Sequence, residues 1–169
     1  MITLGIDPGT ALLGFGVVES GDDPQMIDYG AIATSSDRAM PDRLNELFER
    51  LTALLAQYRP DVLAVEQLFF ARNVTTAIAV GQARGVVLLA AARAGVPVVE
   101  YSPSEVKHAV VGYGKAEKSQ MQEMVRIILG LEHVPHPDDA ADALAVALCH
   151  AQRASFVERT TVADGSWER

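Results

Sequence analysis

This chain of 169 residues has only one cysteine and no long apolar run, and these absences exclude several classes of protein. Its single cysteine, Cys149, cannot form an intramolecular disulfide, and its Ala- and Leu-rich surroundings favour a buried thiol. The longest apolar run, residues 86–92, is flanked by Arg84 and Arg93, so we expect no segment that spans a membrane. A strand-like stretch at residues 2–6 leaves no room for a leader. These absences predict a cytoplasmic protein.

Positive charge is also scarce. The chain has 14 basic and 22 acidic residues, a formal net charge of −8, which at first argues against binding to nucleic acid. The charges are segregated, however, with a net charge of −7 in residues 1–70, +3 in 71–128 and −4 in 129–169. All three lysines, Lys107, Lys115 and Lys118, fall within twelve residues. Such segregation builds a local positive field that is compatible with DNA binding.

Hydrophobic periodicity and turn residues predict five strands and five helices. The strands are expected at residues 2–6, 12–19, 26–33, 62–65 and 96–101, and the helices at 42–58, 75–94, 104–111, 118–129 and 140–151. This order predicts an α/β fold with a mixed five-stranded sheet flanked by helices, as in the ribonuclease H-like fold, although a flavodoxin-like sheet fits the same pattern. We expect one domain over residues 1–154 and a mobile tail over residues 155–169.

Four acidic residues stand where a binding site is expected. Asp7 and Glu66 each end an apolar strand, and parallel neighbours would bring both carboxylates to one edge of the sheet. Asp139 and Asp142 are three residues apart and project from one face of a helix. The alternatives are a turn-forming role for Asp7 before Pro-Gly, and helix capping, which suits the acidic residue before Asp139 best.

Converging carboxylates repel one another unless a cation lies between them. Oxygen-only ligands favour hard divalent ions, and the sequence has no cysteine and histidine cluster of the kind that binds zinc. Two Mg²⁺ ions roughly 4 Å apart would activate a water and stabilise the leaving oxygen of a phosphodiester, and Mn²⁺ could substitute. The acidic residues therefore predict metal-assisted hydrolysis, with Asp7 bridging the two ions.

A basic and aromatic set follows Glu66 along the chain. An exposed Phe69 could stack on bases or wedge between them, and the alternative is a position in the core. Basic side chains here are candidates for phosphate contacts, and the alternative is a solvated helix face. The candidate DNA-binding residues are Phe69, Arg72, Asn73, Arg84, Lys107, Lys115 and Lys118.

Six motifs, in order along the chain, resemble the RuvC family of bacterial Holliday-junction endonucleases. They are residues 5–9 (Gly-Ile-Asp-Pro-Gly), 66–69 (Glu-Gln-Leu-Phe), Asn73, 81–85 (Gly-Gln-Ala-Arg-Gly), 116–120 (Ala-Glu-Lys-Ser-Gln) and 139–145 (Asp-Ala-Ala-Asp-Ala-Leu-Ala). The resemblance implies a ribonuclease H-like homodimer that resolves four-way DNA junctions by paired symmetric nicks in recombination and repair. It also implies the branch-migration proteins RuvA and RuvB as partners.

The resemblance assigns roles by position. The four carboxylates match the family's Mg²⁺-binding catalytic residues, and Phe69 matches an aromatic residue that engages bases near the crossover. Lys107 and Lys118 match basic residues needed for junction cleavage. Typical members are more basic than this chain, so we expect its affinity for DNA to depend on partner proteins or on a surface within residues 71–128.

Three other functions fit parts of the sequence. Actin-like ATPases share the fold and the Gly-Ile-Asp-x-Gly-Thr pattern of residues 5–10, but they need two such lobes. A RuvC-like nuclease that acts on RNA or away from junctions shares the start of the chain, but the motifs at 66–69 and 139–142 favour a resolvase. A non-catalytic DNA-binding module is the third alternative. Junction cleavage that requires Mg²⁺ but no ATP would separate these functions.

Overall fold

The computed structural model describes residues 1–67 and 74–164, with side chains for 1–67 and 76–154. Its strands are β1 (Ile2–Asp7), β2 (Leu12–Glu19), β3 (Gln25–Ala33), β4 (Val62–Glu66) and β5 (Val98–Tyr101). Its helices are α1 (Met40–Tyr58), α2 (Val74–Ala94), α3 (Pro103–Val111), α4 (Lys118–Ile128) and α5 (Asp138–Asp164). Every predicted element is present, and α5 alone departs strongly from its predicted bounds.

The five strands form one mixed sheet in the order β3-β2-β1-β4-β5. β1, β2 and β3 are antiparallel neighbours, as their short connections require, while β1, β4 and β5 run parallel to one another. An all-parallel flavodoxin-like sheet is therefore excluded. The predicted mixed five-stranded sheet flanked by helices is confirmed.

Helices cover both faces of this sheet and create two hydrophobic cores. On one face, Leu4 of β1 packs with Leu51 of α1 and Val87 of α2. On the other face, Ala64 of β4 and Leu144 of α5 belong to a second cluster that includes α3 and α4. Because successive side chains of a strand point to opposite faces, the buried central strands contribute to both cores.

α5 lies close against the sheet because glycines in β1 and β2 leave room for its backbone. A Cβ atom at Gly5 would lie 2.1 Å from the carbonyl oxygen of Ala143. A Cβ atom at Gly14 would lie 2.0 Å from the carbonyl oxygen of Asp139. Cβ atoms do not approach backbone atoms so closely, so only glycine permits this seat. The position of α5 relative to β1 and β2 is thereby determined.

The predicted end of α5 at residue 151 is wrong, because the helix continues to Asp164. The apolar pattern fades after Ala151, and the prediction rested on that pattern. Residues 140–164 contain no proline or glycine, however, and Gly165 is the first such residue. The helix therefore continues until the sequence no longer favours it. Mobility of residues 155–169 stays a prediction.

α2 has an unusual amount of apolar surface. Its segment Thr76–Ala94 has a mean hydropathy of 1.3, yet only 22% of its residues are buried. Within the part of the chain that the structure describes, this is the one helix whose length and composition would suit a membrane crossing. Helices at protein interfaces have the same composition, and the exposed side chains of Ile78 and Leu89 fit that interpretation.

Candidate active site

Two parallel strands and one helix bring together Asp7, Glu66, Asp139 and Asp142, which we call the acidic centre. Asp7 ends β1 and Glu66 ends β4, and the two strands pair in parallel up to the preceding residues. α5 passes over Gly14, the partner of Asp7 on β2, with the backbone of Asp139. The close packing of α5 on the glycines of β1 and β2 therefore places the first turn of α5 at the edge of the sheet where β1 and β4 end.

The environment of Asp7 includes the other three carboxylates. Its pKa is raised from 3.8 to about 7, first by burial and then by the negative charges of Asp142, Asp139 and Glu66. Lys118 opposes the rise. The ends of β1 and β4 and the first turn of α5 thus bring the four carboxylates to one edge of the sheet, and their role as metal ligands stays a prediction.

Two further carboxylates of the acidic centre, Glu66 and Asp142, also have raised pKa values. Burial raises the pKa of Glu66, Asp142 adds to the rise, and Lys107 opposes it. Burial also raises the pKa of Asp142, with Lys118 as the main opposing group. Two of the three lysines predicted to contact DNA therefore lie next to the acidic centre, where they partly compensate its charge.

Lys118 forms ion pairs within this region. Its Nζ lies 3.1 Å from Asp142 Oδ2 and 3.2 Å from Asp138 Oδ2. Burial lowers the pKa of Lys118, but its hydrogen bonds to Asp142 and Asp138 outweigh this effect and the pKa is raised. Asp138 was expected only to cap the helix, and its contact with Lys118 had no signal in the sequence. The lysine is therefore held as an ammonium ion beside the carboxylates.

A cavity of about 230 Å³ opens beside the acidic centre. Its charged lining consists of Glu66, Asp142, Lys107 and Lys118, which include both signs of charge. Its apolar lining comes from α3, α4 and α5, through Val106, Met121, Ala145 and Val146. A lining with both charged and apolar side chains suits a ligand with an anionic part and a less polar part.

The remaining candidate DNA-binding residues differ in their placement. Phe69, Arg72 and Asn73 lie outside the described residues. Lys115 is exposed in the segment between α3 and α4. Arg84 is mostly buried, and its guanidinium contacts the carbonyl oxygen of Glu66 and the carboxylate of Glu100, so the structure gives no support to a phosphate contact there.

The chemistry of the acidic centre fits a divalent cation. In the arrangement shown, no three histidine, cysteine, aspartate or glutamate side chains within residues 1–67 and 76–154 converge tightly enough to share an ion. Lys118 instead pairs with Asp142. Burial and the three neighbouring carboxylates nevertheless raise the pKa of Asp7, and all four candidate donors are carboxylates, whose oxygens hard divalent ions prefer. The residues therefore fit a metal of that kind.

Comparison with known proteins places this chain in a family. The model of a family described as "Crossover junction endodeoxyribonuclease RuvC" matches residues 3–150. The chain belongs to the RuvC family. A RuvC of Heliobacterium modesticaldum is 59% identical over 152 residues, which are 89% of this chain and 94% of that protein. The predicted resemblance is confirmed, and membership makes the chain a nuclease and rules out the ATPase alternative.

Solved RuvC structures agree with the fold. Thermus thermophilus RuvC has 41% sequence identity and a TM-score of 0.86, over 92% of this chain and 96% of that one. T. thermophilus RuvC in complex with a Holliday junction substrate matches with a TM-score of 0.85 and 39% identity, over the same shares. The yeast mitochondrial resolvase Ydc2, at 14% identity and a TM-score of 0.64, supports the fold alone. The ribonuclease H-like fold is confirmed.

Proposed function

We propose that this RuvC-family chain is a Mg²⁺-dependent endodeoxyribonuclease that resolves four-way Holliday junctions by paired symmetric nicks in recombination and repair. The observation that carries the proposal is the convergence of four carboxylates at one edge of the sheet. The junction as substrate is supported by the complex of T. thermophilus RuvC with such DNA. The cavity of about 230 Å³ beside the carboxylates, with its partly apolar lining, leaves room for part of a nucleotide.

The acidic centre would hold the metal, with Asp7 at its middle. Asp7 is the carboxylate whose pKa all three of the others raise, so Asp7, Glu66, Asp139 and Asp142 would together hold the cation. A cation bound there would lower the pKa of the attacking water and neutralise negative charge at the scissile phosphate. Mg²⁺ suits a purely carboxylate donor set, and Mn²⁺ can replace it.

The lysines beside the acidic centre bind and orient the DNA. Lys107 and Lys118 line the same cavity as Glu66 and Asp142, so a phosphate group placed there meets two ammonium ions. Lys115, exposed nearby, extends this positive surface. Phe69, Arg72 and Asn73 complete the proposed DNA-binding set, with Phe69 inserted between bases near the crossover.

The pairing of two nicks requires two active sites, which a homodimer provides. α2 offers the surface for it: Ile78 and Leu89 are 58% and 55% exposed. Between them, a Cβ atom at Gly81 or Gly85 would meet nothing within 4 Å, so this side of the helix is open. We place the dimer on this face, with RuvA and RuvB as further partners and the cytoplasm as the location.

Cleavage of synthetic DNA tests this function. The purified chain is incubated with a four-way junction and with a linear duplex of the same sequence, each with and without Mg²⁺. We expect symmetric nicks in the junction alone and in the presence of Mg²⁺ alone. Asp7→Asn should abolish the nicks and leave junction binding intact. Equal cutting of both substrates, or cutting in EDTA, would contradict the proposal.

A further inference from the structure

Arg84 reaches from α2 to the end of β4, beside the acidic centre. Its Nη1 donates to the backbone carbonyl of Glu66 at 2.9 Å, and its Nη2 lies 2.5 Å from Glu100 Oε1. The Arg84 side chain is only 13% exposed. Both terminal nitrogens therefore contact protein oxygens at the point where the Glu66 carboxylate leaves the sheet.

The backbone carbonyl of Glu66 needs the Arg84 donor because β1 offers no N–H group at that position. Leu63 donates its N–H group to Pro97, just before β5, and Gln67 donates to Tyr101 of β5. The even-numbered residues between them therefore direct their backbone groups towards β1. The pairing of β1 with β4 ends one residue before Glu66. The residue that would donate next on the β1 side is Pro8, which has no N–H.

We propose that Arg84 is a positioning residue that fixes the backbone of Glu66 and so aims its carboxylate at the acidic centre. The inference rests on the proposed metal-dependent nuclease function. A bond to the carbonyl restrains the peptide that follows Glu66, and Glu100 restrains the plane of the guanidinium. Partners of this kind orient the ligands of a metal without touching it.

The test compares Arg84→Gln with Glu100→Gln. Arg84→Gln removes the charged donor to Glu66, whereas Glu100→Gln keeps that donor and weakens only the ion pair. We expect Arg84→Gln to lower both the affinity for Mn²⁺, measured by calorimetry without DNA, and kcat by about 10- to 100-fold. Junction affinity in EDTA should stay unchanged in both variants. Glu100→Gln, which loosens the guanidinium but keeps the donor to Glu66, should show a clearly smaller loss of Mn²⁺ affinity and kcat than Arg84→Gln. Arg84→Lys, which keeps one donor, should recover part of the loss.

Two results would overturn the assignment. Unchanged Mn²⁺ affinity in Arg84→Gln, with the wild type cutting junctions, would show that Glu66 needs no such restraint. A loss of junction affinity with a shallower salt dependence would make Arg84 a phosphate contact instead. If the wild type fails to cut junctions while Arg84→Gln still weakens Mn²⁺ binding, the nuclease proposal fails and the positioning role stands. Arg84→Lys carries the test if Arg84→Gln does not fold.

Discussion

At the scale of single residues, Asp7 serves the proposed metal site but lowers the stability of the metal-free folded chain when it is ionised. Its pKa in the folded chain is about 7, well above the 3.8 of an unperturbed aspartate, because it is buried among other carboxylates. The folded state therefore holds a proton that the unfolded state releases. Without metal, the stability that this proton provides is complete below about pH 4 and is lost as the pH rises through about 7.

Asp7→Asn removes the proposed metal-binding carboxylate. It also removes the loss of folding stability that ionisation of the buried Asp7 causes at high pH. In EDTA at pH 8, we expect the variant to be more stable than the wild type by a few kcal/mol in urea unfolding, with the difference shrinking towards pH 4. Adding Mg²⁺ at pH 8 should stabilise the wild type and have little effect on the variant. A variant less stable than the wild type at pH 8 would show that Asp7 is not repelled by its neighbours.

Thr34 links α1 to the loop that follows Asp7. Its hydroxyl donates to the carbonyl oxygen of Thr10 at 2.5 Å and accepts from Arg43 Nε at 2.9 Å. Thr34→Val keeps the shape but leaves the buried carbonyl without its donor, which should cost about 1–3 kcal/mol of unfolding free energy. Thr52→Val is the matched control, since its hydroxyl lies exposed on α1 and should change stability by less than about 0.5 kcal/mol. Equal effects in thermal or urea unfolding would refute this account.

At the scale of elements, the seat of α5 on the sheet decides where half of the acidic centre lies. Gly14→Ala would press a methyl group against the backbone of Asp139, which cannot move alone. We expect a loss of about 3 kcal/mol of stability and a loss of kcat of about 100-fold, because a shift near 1 Å displaces Asp139 and Asp142 from Asp7. Gly21→Ala, where the nearest atom is 3.7 Å from the new Cβ, should match the wild type in both measurements.

The elements also show how far sequence reasoning reaches. Strands and helices with a clear apolar period were predicted within two residues, since burial selects that period directly. The C-terminal end of α5 was not predicted, because its last part has no apolar period. Where such a helix ends depends on where the first glycine or proline stands. The seat of α5 was also missed, because glycines in β1 and β2 carry no sign of what approaches them.

At the scale of the whole molecule, the carboxylates could be predicted and their partners could not. A charged residue at the end of an apolar strand is visible in the sequence, and parallel pairing then brings Asp7 and Glu66 together. The bonds of Lys118 to α5 and of Arg84 to β4 join residues distant along the chain, so no local pattern encodes them. Arg84 illustrates this, because its residue type predicts a phosphate contact but does not reveal its contacts with the carbonyl oxygen of Glu66 and the carboxylate of Glu100.

The exposed face of α2 links the assembly of the molecule to the symmetry of the proposed reaction. Ile78→Glu combined with Leu89→Glu would bury four charges in the proposed dimer and should give a monomer in analytical ultracentrifugation. We expect the monomer to keep its Mn²⁺ affinity but to lose paired nicking, so that a cruciform plasmid is nicked on one strand rather than linearised. Ile127→Glu, at an equally exposed residue of α4, should remain dimeric and cut normally. A dimeric α2 variant, or a monomeric Ile127→Glu, would place the interface elsewhere.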